Sequence, residues 1–239
     1  TLELRDSYYD SQDFMIFRAG FALRMRHALG GAEGDVTEIT LKSLQPSRGG
    51  FARRIEFSET VDAADIEAVL GHPAGIGERI RELVGARPLE KLFDARTRRE
   101  RQQLLEADNE LPLAEVDLDE TSIETAAGTA QTLQRVEVEC LNAEPAALSP
   151  WVEQLRAAAR LEPVVQSKFR AGLAAAGLNP APALDLGPTD IASSQSFADT
   201  QLALFRRYFV AVFDKEPLVR AGADSAVHEM RVAARHLEV

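Results

Sequence analysis

The chain is short of several things that usually announce a function. Among its 239 residues there is one cysteine, Cys140, so no intramolecular disulfide framework exists; a reducing compartment fits, and the cytoplasm is the expected location. No apolar run approaches the roughly 18–20 residues of a membrane helix, and the first residues do not read as a signal peptide. A net charge of −11 argues against a general nucleic-acid or anionic-membrane surface, so any polyanion site must gather its cations locally. There is no glycine-rich phosphate loop, no Cys/His zinc spacing and no GxSxG elbow, which leaves dinucleotide binding, P-loop chemistry and acyl transfer without support. Aromatics are 6%, and none sits among the charged positions described next, which favours an unadorned anion over one with a base to stack. Lysine is rare too: of 27 basic residues only Lys42, Lys91, Lys168 and Lys215 are lysines. In so arginine-rich a chain a retained lysine marks a place where a compact ammonium suits better than a planar fork.

What is present is alternation. Arg24 and Arg26 stand in LRMR, Thr40 and Lys42 in ITLK, Arg54 and Glu56 in RRIEF, and Arg96 and Arg98 in DARTR. Glu115 and Asp117 stand in LAEVDLDE, and Arg135, Glu137 and Glu139 in LQRVEVEC. In a strand, residues i and i+2 share a face. Each segment therefore has a charged face and an apolar one, the latter carrying Leu23 and Met25, Ile39 and Leu41, Ile55 and Phe57, Val116 and Leu118, Val136 and Val138. One such segment would be an ordinary solvent-facing strand. Several together, converging, line a cavity rich in cations with a few carboxylates, which suits a highly anionic ligand accompanied by a divalent metal.

The pattern along the chain predicts strands near 21–27, 36–43, 51–59, 90–105, 112–119 and 132–141. Hairpin-loop composition occurs at GGAEGD (30–35), QPSRGG (45–50) and AADNE (106–110). DSYYDSQD reads as polar and turn-rich. Residues 62–85 switch to helical spacing, broken at GHPAG, with Asp62 as a candidate N-cap. Residues 145–175 are helical with a break at Pro163, residues 177–196 read as a linker, and Phe197 to Val239 turn helical again. The fold class is α+β, with an antiparallel sheet able to close into a barrel with a charged lumen.

In this order, YYDSQDF (8–14), LRMR, ITLK, RRIEF, KLFDARTRR (91–99), LAEVDLDE, RVEVEC and QSKF (166–169) resemble the CYTH superfamily, the triphosphate tunnel metalloenzymes. VHEMRVAARHL (227–237) resembles the opening helix of a CHAD domain. The resemblance implies an eight-stranded antiparallel tunnel over residues 1–176, a linker over 177–196, and the N-terminal part of a CHAD helical domain over 197–239. The family signature begins with an ExExK strand that TLELRD does not supply. That strand is therefore expected before Thr1, in a longer chain truncated here at both ends.

The implied activity is hydrolysis of inorganic triphosphate or a related triphosphate with Mg²⁺ or Mn²⁺; the alternative is a non-catalytic module that binds triphosphate or polyphosphate. The expected phosphate contacts are Arg24, Arg26, Lys42, Arg54, Arg96, Arg98, Arg135 and Lys168, since guanidinium groups match phosphate oxygens bidentately. Glu137 and Glu139 are the first candidates for metal ligands, with Glu56 behind them. Glu115, Asp117 and Lys42 are the candidate catalytic groups, and the sequence leaves open which carboxylate positions water. His228 and Arg231 would face polyphosphate in the CHAD-like part. Asp10 has two readings, a partner for a tunnel arginine or a turn aspartate.

Overall fold

The computed structural model describes residues 1–31, 34–44, 55–62, 65–106, 110–164, 166–180, 186–220 and 224–237. Arg54 and most of the expected loops at 45–50 and 106–110 lie outside the described residues. One antiparallel sheet organises the chain. Its strands are β1 (Leu2–Ser11), β2 (Phe21–Gly31), β3 (Gly34–Ser43), β4 (Glu56–Thr60), β5 (Leu89–Leu105), β6 (Pro112–Thr125) and β7 (Gly128–Cys140). Their spatial order is β4-β3-β2-β1-β5-β6-β7. The resemblance implies eight strands in a closed barrel; the described residues form seven, and among them the edge strands β4 and β7 do not pair.

The segment DSYYDS is strand, not turn, and β1 runs down the middle of the sheet between β2 and β5. Alternation explains it: Leu4, Asp6, Tyr8 and Asp10 are buried on one face while Glu3 and Arg5 are exposed. The chain turns only after Ser11, into the short helix α1 (Met15–Arg18). There Asp10 accepts hydrogen bonds from the backbone N–H groups of Ser11, Ile16 and Phe17, each at 2.8 Å. Of its two readings, the local one holds. At the other end of the sheet β6 and β7 run longer than predicted and meet in a tight hairpin, Thr125 pairing with Gly128, whose φ of 107° suits glycine.

Helices cover the outer, apolar face. α2 (Ile66–Gly71) and α3 (Ile76–Val84) are separated where GHPAG predicts a break. Asp65 rather than Asp62 caps α2, accepting from the Ala68 N–H at 2.9 Å. Ile66, Val69, Ile80 and Val84 pack with Leu23, Ile39 and Leu41 in the main core. Burying a side chain of this size contributes about 1.5–3 kcal/mol each. α4 (Pro145–Ala159) lies near β6 and β7, and Trp151, Leu155 and Ala159 share a cavity of about 310 Å³ with Val116, Leu118 and Val136. α5 (Lys168–Ala175) instead packs on the inner face. α6 (Phe197–Arg220) and α7 (Asp224–Arg235) form a helical pair, with Leu218 and Ala226 joining the main core. No described helix is long and apolar enough to cross a membrane.

Candidate functional site

Register settles which side chains share the inner face. Asp6 pairs with Arg26 and Tyr8 with Arg24; Arg24 pairs with Thr40, and Lys42 with Glu56. On the other side of β1, Leu2 pairs with Arg99 and Leu4 with Thr97. Arg99 pairs with Asp119 and Arg101 with Asp117, then Asp119 with Arg135, Asp117 with Glu137 and Glu115 with Glu139. The charges on this face reach across strands. Arg99 on β5 reaches past β6 to Glu137, at 3.2 Å. Thr40, Thr97 and Thr121 are fully buried on this face.

Most of the expected site residues are here: Arg24, Arg26, Lys42, Glu56, Glu115, Asp117, Arg135, Glu137, Glu139 and, from the first turn of α5, Lys168. Arg96 and Arg98 are not. Both side chains lie on the opposite face, about 60% exposed, paired with Glu124 and Glu100. The run DARTRRERQ places arginines at both parities, and Thr97, buried against Thr121 at 2.8 Å, sets which parity points in. The inner cations of β5 are Arg99 and Arg101. Asp6, Glu38 and Asp119 are also inner carboxylates that the sequence reading did not single out. Asp119 continues the alternation of Glu115 and Asp117, a signal present in LAEVDLDE; Asp6 was hidden in a segment read as turn.

The charges pair in two banks. In one, Arg26 holds Asp6 through two hydrogen bonds of 2.6 and 2.7 Å, Arg24 meets Glu38 at 2.9 Å, and Lys42 meets Glu56 at 2.5 Å. In the other, Arg99 binds Asp119 through two hydrogen bonds of 2.7 Å and Asp117 at 2.6 Å. Arg101 meets Asp117 at 2.8 Å and Glu115 at 2.9 Å. Lys168 donates to Asp119 and faces Glu137 at 3.6 Å.

Burial pushes the Asp6 and Asp119 carboxyls up. Hydrogen bonds from Arg26 to Asp6, and from Arg99 and Lys168 to Asp119, outweigh it and hold both below the usual range. Burial first, then the Asp6 charge, pushes the Tyr8 phenol up to about 12.

Two cations are under-compensated. The Arg24 Nε is buried with no hydrogen-bond partner. Arg135 makes no ion pair among the described residues, and burial pulls its guanidinium below its ordinary value despite the nearby Glu137. Both are donors of the kind that phosphate oxygens satisfy.

The inner face is thus the ion-paired face of a seven-stranded antiparallel sheet. The model of the CYTH domain matches residues 1–172, and the chain belongs to the CYTH family. Among solved structures it is similar to HpAC1 from Hippeastrum, a protein named for adenylyl cyclase and described as having a dominant triphosphatase activity. That match has a TM-score of 0.52 and 21% identity, covering 75% of this chain and 84% of that one. It is also similar to an adenylate cyclase-like protein from Bacillus halodurans (TM-score 0.47, 20% identity, 71% and 81% covered). The PH1819 protein from Pyrococcus horikoshii OT3 gives a TM-score of 0.45 at 18% identity, with 72% and 84% covered. No curated protein matches.

Proposed function

We propose that the inner face binds inorganic triphosphate, or a related triphosphate, and hydrolyses it with a divalent cation. The observation that carries this reading is the gathering of Arg24, Arg26, Lys42, Arg99, Arg101, Arg135 and Lys168 on one inner face of a chain whose net charge is −11. Family membership and the triphosphatase activity described for the Hippeastrum protein support it. Among the described residues no three His, Cys, Asp or Glu side chains converge as a metal cage. The donor chemistry nevertheless fits Mg²⁺ or Mn²⁺, which take one or two carboxylates and complete their shell with substrate oxygens and water. Glu137 and Glu139, both exposed and sharing a strand face, would hold it, with Glu56, on the far strand β4, a lesser candidate. When bound, the cation neutralises charge on the phosphate oxygens.

The chain's own groups do the rest. Arg24, Arg101, Lys42 and Lys168 hold phosphate oxygens in place of their present carboxylate partners, and Arg135, which makes no ion pair among the described residues, joins them. Asp117, bound to Arg99 at 2.6 Å, fixes the Arg99 guanidinium. Glu115, opposite Glu139 on the neighbouring strand, is proposed to orient water. The water oxygen bonds to phosphorus as the bridging P–O bond breaks, giving pyrophosphate and orthophosphate, and the water proton leaves through a carboxylate to solvent. Residues 197–239 are proposed as the start of a CHAD-type unit, His228 and Arg231 being exposed on α7, with 177–196 as its linker.

Phosphate release from triphosphate, ATP and pyrophosphate, with and without Mg²⁺, tests the reading. Release from triphosphate only with metal supports it. Binding of triphosphate without turnover favours the non-catalytic module.

A further inference from the structure

We infer that Glu38 is a built-in competitor for the anion: its carboxylate holds Arg24, is displaced when a phosphate chain binds, and so limits how tightly the site grips its ligand. The inference rests on the proposed binding of phosphate at this face and adds to it the residue that sets the affinity. Three inner arginines differ in what fills their side-on fork, the Nε and Nη2 pair that a carboxylate or a phosphate grips with two oxygens. Arg26 gives both prongs to Asp6, at 2.6 and 2.7 Å, and Arg99 gives both to Asp119, at 2.7 Å each. Both of those carboxylates are fully buried. A buried charge stripped of its partner is costly, so these two forks stay closed.

Arg24 is different. Its Nη2 donates to one oxygen of Glu38 at 2.9 Å, while its Nε is buried without a partner. The Glu38 side chain is 37% exposed, so it returns to water at little cost, as part-exposed pairs do. The bare buried donor is the dearer defect. A phosphate fills both prongs where Glu38 fills one. Arg24 does not depend on Glu38 for its place, either. Its Nη2 also donates to the Thr40 hydroxyl at 3.1 Å, and Thr40 is fully buried. That hydroxyl accepts from Ser58 at 3.1 Å and donates to Glu38 at 2.9 Å, which uses its one proton and both lone pairs. When Glu38 leaves, Thr40 and Ser58 remain, and the guanidinium keeps a neutral anchor. The displaced carboxylate stays on its strand as a like charge beside the anion, which weakens binding further.

The test compares the whole protein with its Glu38→Gln variant, and with Glu38→Ala as a second variant of the same expected direction. Glutamine keeps an oxygen for Arg24 and Thr40 but removes the charge, and the melting temperature without ligand should stay within about 2 °C of wild type. Tripolyphosphate binding is read by calorimetry with and without Mg²⁺, and phosphate release by initial rates. In Glu38→Gln the metal-free Kd and the KM should each fall about three- to tenfold while kcat does not rise, since ground state and transition state gain alike. Equal or weaker metal-free binding overturns the inference and makes Glu38 a support for Arg24. Weaker binding only with Mg²⁺ makes it a metal ligand and overturns the inference as well. No binding by either protein overturns it together with the phosphate site. Tighter binding without any phosphate release leaves Glu38 as the competitor and removes the hydrolytic reading.

Discussion

Arg99 is the test of whether the inner ion pairs hold the fold. It is 7% exposed and bonds three carboxylates, Asp119, Asp117 and Glu137. The Asp119 side chain is fully buried and that of Asp117 is 5% exposed. Removing one partner of a buried pair costs about 3–5 kcal/mol, because the charge left behind has lost its compensation. In Arg99→Ala, Lys168 still meets Asp119 and Arg101 still meets Asp117, so about 2–3 kcal/mol is expected at pH 7. For a chain of this length that lowers the melting temperature by roughly 4–12 °C.

The pH dependence carries the sharper check. Asp119 is held below its ordinary value in the folded protein, so its contribution is present above the unfolded carboxylate value and is lost as pH falls through the folded one. Wild type should therefore lose stability faster than Arg99→Ala as pH drops below about 4, and the gap between them should narrow. Denaturant unfolding of both proteins at pH 7, 5, 4 and 3 measures it. A difference under about 1 kcal/mol at pH 7, or a gap that does not change with pH, would refute the argument.

Three further outcomes are expected. Arg101→Ala should lower triphosphate turnover at least a hundredfold while Arg96→Ala, on the outer face, stays within about twofold of wild type, as measured by phosphate release; these ranges are of the size seen for single electrostatic contacts and for none. Gly172→Ala should destabilise by about 1–3 kcal/mol in urea unfolding, since the new methyl meets the Phe93 ring; an unchanged midpoint would mean that α5 shifts freely. The Tyr8 phenol is raised to about 12, so it favours the fold below its unfolded value near 10 and this is lost as pH rises toward 12; Tyr8→Phe should flatten the alkaline loss of stability.

Most of the architecture was readable from period. Alternation at Arg24–Arg26 and Glu137–Glu139 marks strands with one charged face, and the change of spacing after Val61 marks helices. The site was readable wherever a segment had charges at a single parity. It was not readable in DARTRRERQ, where both parities carry arginine and only a distant partner, Thr121, chooses between them. The β1 strand was hidden because Asp, Ser and Tyr are turn formers by composition, whereas buried pairing of Asp6 with Arg26 makes strand the better home. Nothing local could show that α5 would lie inside the sheet rather than outside, since its docking depends on a ring that meets it across Gly172.

The placement of Lys168 also bears on how the protein is made. The ammonium that neutralises Asp119 comes from 49 residues further along the chain. During synthesis β5 and β6 emerge with Asp119 and Asp117 relying on arginines alone. When α5 arrives it brings the Lys168 ammonium to Asp119 and the Phe169 ring to Tyr8 and Phe93 in one docking event.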